Sequence, residues 1–357
     1  MKSVEMKNIH NSPLAGQTLL SVLTPLNFLL SLLIVFHHGF TLNVDYNGSF
    51  DLASYGMTLA IQRFMYNLSE CAVPVFFFIS AFLFYRTFDG TWGKYKEKMR
   101  RRVRSLFIPY ILFCTLGYIK ALMFNGGIEN GNFYDYIVSI WESNTMPLWF
   151  IRELIALSII APIFWQLLKR PVLAIFICIF IVIMTSLGYI PYRSFVYWIP
   201  VYMMGAALNY INLDDGVILR KVSRSYIGIA IVLAYAIAAW FLPNGIARQE
   251  MTIGQNTAFA LFRLITPVIW LVIIVWLSIL KVKEHRFMKY SFFVYCMHAP
   301  ILTLLTLIYT KTVTRLIDVE IVQYVSVIFG AYFFCVLLAM ALQQYVPWLW
   351  SVLNGKR

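Results

Sequence analysis

Two adjacent histidines, His37 and His38, close an apolar run that begins at Leu19. An ionisable ring is costly inside a hydrocarbon layer and is kept there for a task such as proton transfer. On a helix, residues seven and eleven apart share a face. His38 therefore lines up with Ser31 and Asn27, whereas His37 lines up with Leu33, Leu30 and Leu26. This polar stripe predicts that His38 turns into the protein and that His37 is a neighbour nearer the interface. A second constellation is SFFVYCMHAPIL, where Ser291, Tyr295 and His298 are spaced four and three apart on one face. Pro300 follows and interrupts the backbone hydrogen bonding there. A third is PLWFIRELIAL, which carries Arg152 and Glu153. Neighbours on a helix point about 100° apart, so these two need not pair. A guanidinium fork is well shaped to stabilise charge developing on an oxygen. Each group also has a structural reading: rings at headgroup level for His37 and His38, a helix–helix hydrogen bond for His298, and snorkelling for Arg152. Glu70, at the mouth of the run CAVPVFFFISAFLFYR, reads as a solvated loop carboxylate or as a partner that orients an imidazole.

The elements that position these groups follow from composition. Of 357 residues, 61% are hydrophobic and only 13% are charged, against about 25% charged in a soluble domain. Runs of roughly 20 apolar residues suffice to cross the hydrocarbon core as helices. About ten are present, near 17–39, 70–88, 105–124, 148–168, 171–190, 195–212, 225–242, 260–281, 290–310 and 324–349. The stretch 52–70 is moderately apolar and suits a short interfacial helix. The expected architecture is an all-α polytopic membrane protein, one domain over residues 1–357, with the first apolar run retained as a span. Outside loops are expected near 40–69, 125–147 and 243–259. Cys71, Cys114, Cys178, Cys296 and Cys335 all lie in apolar segments, and their spacing matches neither a disulfide framework nor a metal site. They read as packing residues. Two glycosylation tripeptides, at Asn47 and Asn67, carry no functional inference.

The net charge of +13 invites a nucleic-acid reading until it is placed on the topology. The N-terminus, 86–104, 169–170, 213–224, 281–289 and the C-terminus hold most of the 29 Lys and Arg. This bias predicts that those segments, and both termini, are cytoplasmic. The largest block, KYKEKMRRRVR (94–104), anchors the chain at anionic headgroups or cradles a phosphorylated ligand. No fold signal for nucleic-acid binding accompanies it.

Nucleophile elbows, phosphate loops, HExxH and dinucleotide fingerprints are missing, so any chemistry rests on His, Arg, Ser, Tyr and Glu within a bundle. The fragments LLIVFHHGF, VPVFFFISAFLFYR, RRRVRSLFIPY, PLWFIREL and SFFVYCMHAPI, in this order, resemble the acyltransferase 3 family of polytopic membrane acyltransferases. The resemblance implies about ten spans, an acyl-coenzyme A donor on the cytosolic side, and transfer to a hydroxyl of a carbohydrate or related envelope acceptor. It implies a catalytic His at His38, preceded eleven residues earlier by an Arg. Asn27 occupies that Arg position here, and the family's Ser-Gly in the second span is Ser80 and Ala81. The family's basic-loop arginines correspond to Arg102 and Arg104. Longer relatives append a soluble domain, which is not expected in this chain.

Together these readings predict an O-acyltransferase, by family default an O-acetyltransferase using acetyl-coenzyme A, without a metal, in the cytoplasmic (inner) membrane of a bacterium. The acceptor is a cell-envelope glycan or its lipid-linked precursor. Lys98, Arg101, Arg102 and Arg104 would hold the donor phosphates, with Asn27 and Ser31 along the donor path. His38 would act as general base, with His37 beside it, and Arg152, Tyr295 or His298 would donate to the oxyanion. Two alternatives use the same polar stripes: a transporter or flippase of a polysaccharide intermediate, and a non-catalytic assembly subunit.

Overall fold

The computed structural model describes residues 14–40, 52–124, 131–210, 216–243, 251–315 and 319–356. Helices dominate the described residues, and no strand occurs among them. Backbone polar groups within hydrocarbon must be satisfied inside their own segment, which favours helices. The elements are α1 (Leu14–Ser21), α2 (Leu23–His38), α3 (Leu52–Ser69), α4 (Ala72–Tyr85), α5 (Trp92–Arg102), α6 (Ile108–Met123), α7 (Phe133–Glu142), α8 (Trp149–Ile159) and α9 (Ala161–Leu168). They continue with α10 (Pro171–Ser186), α11 (Phe195–Ala207), α12 (Gly216–Arg224), α13 (Tyr226–Phe241), α14 (Ile253–Ile279), α15 (Ser291–Thr312), α16 (Glu320–Tyr345) and α17 (Pro347–Leu353).

Among the described residues, five helical segments are long and apolar enough to cross a membrane: Gly56–Tyr85, Trp92–Met123, Ile253–Ile279, Arg286–Thr312 and Glu320–Tyr345. The pair α8–α9, bent by 61°, makes a sixth if it is one span. Pro162 sits at the bend and offers no N–H to the carbonyl four residues back, which accounts for the break. The apolar helices α2, α10, α11 and α13 are shorter. Large side chains such as Phe176 and Phe180 on α10 and Phe329 and Phe333 on α16 are exposed. An apolar exterior of this kind belongs in lipid.

Three expected elements differ in form. The first apolar run is two helices that meet at Val22, because Pro25 denies the Ser21 carbonyl its donor. The stretch 52–70 is not a separate interfacial helix but leads directly into α4, with a kink at Gly56 (φ 64°). The basic run 94–104 is not a loop: α5 continues through a π-helical turn, Val103–Phe107, into α6. Thr91 starts it, accepting from the Lys94 N–H at 3.3 Å and donating to Asp89 at 2.7 Å. The Thr91 backbone N–H and hydroxyl, both bonded to Asp89, hold that carboxyl below the usual carboxylate range. Asn47 lies outside the described residues. Asn67 is fully buried, and its amide donates to the carbonyls of Ala239 and Leu242 at the end of α13. Four of the five cysteines are buried, Cys178 being the half-buried one, and all five are free thiols.

The centre of the bundle is aromatic. Phe77 stacks on Trp198 at 4.8 Å and meets Phe150 edge-on at 4.6 Å. This core joins α4, α8 and α11. The close approach of α4 and α11 requires Gly205, since a Cβ there would lie 2.1 Å from the Phe78 carbonyl oxygen. Gly205→Val is expected to force these helices apart and to cost about 1–3 kcal/mol. Thermal unfolding in detergent measures it, and an unchanged midpoint would argue against the contact.

Candidate active site

Packing of α2 against α15 brings the histidines of two distant segments together. The His38 and His298 rings lie 5.0 Å apart, and His37 meets His38 edge-on at 5.1 Å. His298 is fully buried. Its Nδ1 lies 2.7 Å from the Tyr295 carbonyl oxygen. A carbonyl only accepts, so Nδ1 carries the proton and Nε2 carries the lone pair. That Nε2 is buried and has no hydrogen-bond partner among the described residues. One buried imidazole thus presents an unused basic nitrogen in the neighbourhood of a second ring.

The polar stripe of α2 faces α15 and α16. Ser31 is buried and shares a hydrogen bond of 3.0 Å with the Tyr332 hydroxyl of α16. His38, at the last residue of the helix, reaches His298 yet is itself exposed. It sits where α2 stops, and Gly39 follows against Ile328. Contrary to the sequence expectation, His37 is more enclosed than His38, because the end of α3 packs over it whereas His38 ends the helix. Its Nδ1 lies 3.0 Å from Ser69 Oγ, its ring stacks on Tyr66 at 4.1 Å, and its Nε2 is 4.0 Å from Glu70.

Glu70 is not a solvated loop carboxylate. It is 2% exposed, and Arg263 grips its Oε2 through Nε at 3.0 Å and Nη2 at 2.8 Å. The third guanidinium nitrogen donates to the Tyr197 hydroxyl at 2.7 Å, and the cation lies over Tyr192 and Phe259 at 4.1 and 4.8 Å. Arg263 was not among the sequence candidates. The available signal was a lone Arg in the apolar run TAFALFRLITPVIW, which by default needs a buried partner.

Arg152 pairs with its neighbour Glu153 after all, and also donates to the carbonyls of Trp141 and Arg193. These bonds tie together the segments flanking α8, and none reaches an imidazole. Tyr295 donates to the Pro147 carbonyl at 3.2 Å and packs edge-on against Phe150.

A cavity of about 810 Å³ is bordered by Arg102 at the end of α5, by the turn Arg286–Tyr290 and by Tyr295 of α15. Asn27, Ser80, Arg102, Ser105, Arg286 and Lys289 line its polar part, and Phe76, Ile79, Phe150, Ile151 and Leu154 line its apolar part. Neither His38 nor His298 is in the wall. His298 is three residues beyond Tyr295, about 4.5 Å along the helix axis. Of the four basic candidates in 94–104, only Arg102 borders the cavity; it donates to the Ser80 carbonyl at 3.2 Å. Arg101 is exposed and paired with Glu97 at 2.6 Å, Lys98 donates to Thr87 at 2.8 Å, and Arg104 is exposed. Arg286 and Lys289, in the 3₁₀ turn Arg286–Tyr290 before α15, replace them at the mouth. Among the described residues no group of three or more His, Cys, Asp or Glu is arranged to hold a metal ion.

Residues 26–340 match the family model described as the acyltransferase domain, Acyl_transf_3. No curated protein and no solved structure matches the chain.

The Glu70–Arg263 pair has a direct energetic test. Glu70→Gln leaves a buried guanidinium uncompensated and is expected to destabilise the protein by about 3–5 kcal/mol. Adding Arg263→Met is expected to recover most of that loss. Chemical or thermal unfolding in detergent reads both, and additive losses in the double variant would contradict the pairing.

Proposed function

The chain belongs to the acyltransferase 3 family, and from that premise we propose that it is an O-acyltransferase of the membrane, using an acyl-coenzyme A donor and a hydroxyl of a cell-envelope polysaccharide or its lipid-linked precursor as acceptor. Acetyl is the proposed acyl group. The proposal includes the ten-span arrangement, with the four shorter apolar helices counted as spans and both termini in the cytoplasm, within a bacterial inner membrane. The charge bias supports that orientation. It puts the mouth lined by Arg102, Arg286 and Lys289 on the cytosolic side and His38 toward the opposite side.

One observation carries the reading. The cations Arg102, Arg286 and Lys289 share a cavity of about 810 Å³ with Tyr295, whose carbonyl fixes the proton on His298, whose ring in turn meets His38. A donor seated in this cavity would place its phosphates at the cations and its thioester at the inner end. His38, exposed and neutral, takes the proton of the acceptor hydroxyl as the oxygen forms its bond to the thioester carbonyl carbon. Tyr295, whose side chain borders the cavity, would exchange its hydrogen bond to the Pro147 carbonyl for one to the developing oxyanion. Collapse breaks the carbon–sulfur bond, and the thiolate leaves with the proton held by His38. His298, whose ring packs against that of His38 at 5.0 Å, would help to hold that ring in place. Arg152, held by three other acceptors, is given no part in this scheme, and His37 is held as a support beside His38.

The test uses detergent-purified protein with labelled acetyl-coenzyme A and a panel of envelope saccharides. Transfer is expected to fall roughly 10²–10⁴-fold in His38→Ala, with donor binding retained. Full activity in that variant removes the general-base role. Failure of the wild-type protein to bind coenzyme A, together with saccharide flux across vesicles, would replace the enzyme with a transporter.

A further inference from the structure

The C-terminal segment forms part of the cavity wall, although it lies beyond the family-matched residues 26–340. It is fixed there by packing. Trp350 of α17 meets Tyr290 and Phe293 edge-on or tilted, each at 5.5 Å. Gly355, with φ +65°, presses against the backbone of Ser105, where a Cβ would come within 2.6 Å of the carbonyl oxygen. Between these two anchors sits Asn354. It borders the cavity and is 5% exposed, and its carboxamide oxygen has no hydrogen-bond partner among the described residues. A buried amide oxygen without a partner costs free energy unless a ligand or water satisfies it.

The charged part of the same mouth has a related peculiarity. Arg286 and Lys289 face the cavity, and neither forms an ion pair among the described residues, whereas Lys94 and Arg101 on the exposed side of α5 are both paired with Glu97. One carboxylate, Glu284, shares the mouth. Cations without partners beside a satisfiable amide match a ligand that carries phosphates and a hydrogen-bonding base. A carboxamide offers an acceptor and donors side by side, complementary to the donor and acceptor on the edge of adenine.

We propose that Asn354, Arg286 and Lys289 form the nucleotide subsite of the donor cavity, with the adenine edge read by Asn354 and the phosphates held by Arg286 and Lys289. The inference rests on the acyl-coenzyme A reading above and assigns the donor's recognition end to residues outside the basic run 94–104. It gives the C-terminal segment a ligand-binding role of its own.

Binding titrations on the full-length protein in detergent test it with two probes. One is coenzyme A. The other is 4′-phosphopantetheine, which lacks the adenine nucleotide. Asn354→Leu is expected to weaken coenzyme A by about tenfold and to leave 4′-phosphopantetheine unchanged. Asn354→Asp, which conserves shape and so guards against misfolding, is expected to weaken coenzyme A at least as much. The double variant Arg286→Gln, Lys289→Gln is expected to lose coenzyme A affinity and part of its salt dependence. Equal weakening of both probes, or no effect on either, overturns the subsite while leaving His38-dependent transfer in place. Absence of coenzyme A binding in the wild-type protein overturns the donor reading and the subsite with it.

Discussion

A single turn of α15 connects the two halves of the site. Tyr295 borders the cavity with its side chain and holds His298 with its carbonyl. The hydrogen bond at 2.7 Å decides which imidazole nitrogen is protonated. Without it, a buried ring could adopt either tautomer. Because Tyr295 and His298 sit on the same turn of α15, movement of that helix would displace a cavity wall and the buried imidazole together.

The charges of the bundle fall into two kinds. On α5, Lys94 and Arg101 share the partly exposed Glu97, and such surface pairs contribute about 0–1 kcal/mol each. Glu70 and Arg263 are buried, and each depends on the other because a lone charge at that depth is severely penalised. The aromatic rings of Tyr192, Tyr197 and Phe259 around the guanidinium supply further compensation through their π faces. This buried pair stands directly behind His37. It links α14 to the end of α3 and braces the helix end on which the histidines sit.

The cavity is mixed in character. Cations and amides form part of its lining, and phenylalanines and aliphatic side chains form another part. A long ligand with a charged head and a thin, less polar arm fits that combination. The head would be held by groups from opposite ends of the chain, Arg102 on one side and the 286–289 turn on the other. Convergence of cations is unfavourable without a counter-charge and would be relieved by a polyanion.

Sequence alone determined the features with a local cause. Apolar stretches of sufficient length specified the helices, and all ten stretches lie on helical segments. The 3.6-residue period placed Asn27, Ser31 and His38 on one side of α2 and Tyr295 and His298 on one side of α15. The order of motifs along the chain carried the family resemblance. Tertiary structure decided what no period contains. Glu70 is buried because Arg263, nearly two hundred residues away, supplies its counter-charge. Arg286 and Lys289 rather than Arg101 and Arg104 meet the cavity, because helicity of α5 turns its residues to different sides and packing selects one. Asn354 reaches the same cavity only because α17 folds back onto the start of α6. Such contacts depend on which surfaces of distant helices meet, and spacing within one helix holds no information about its partners.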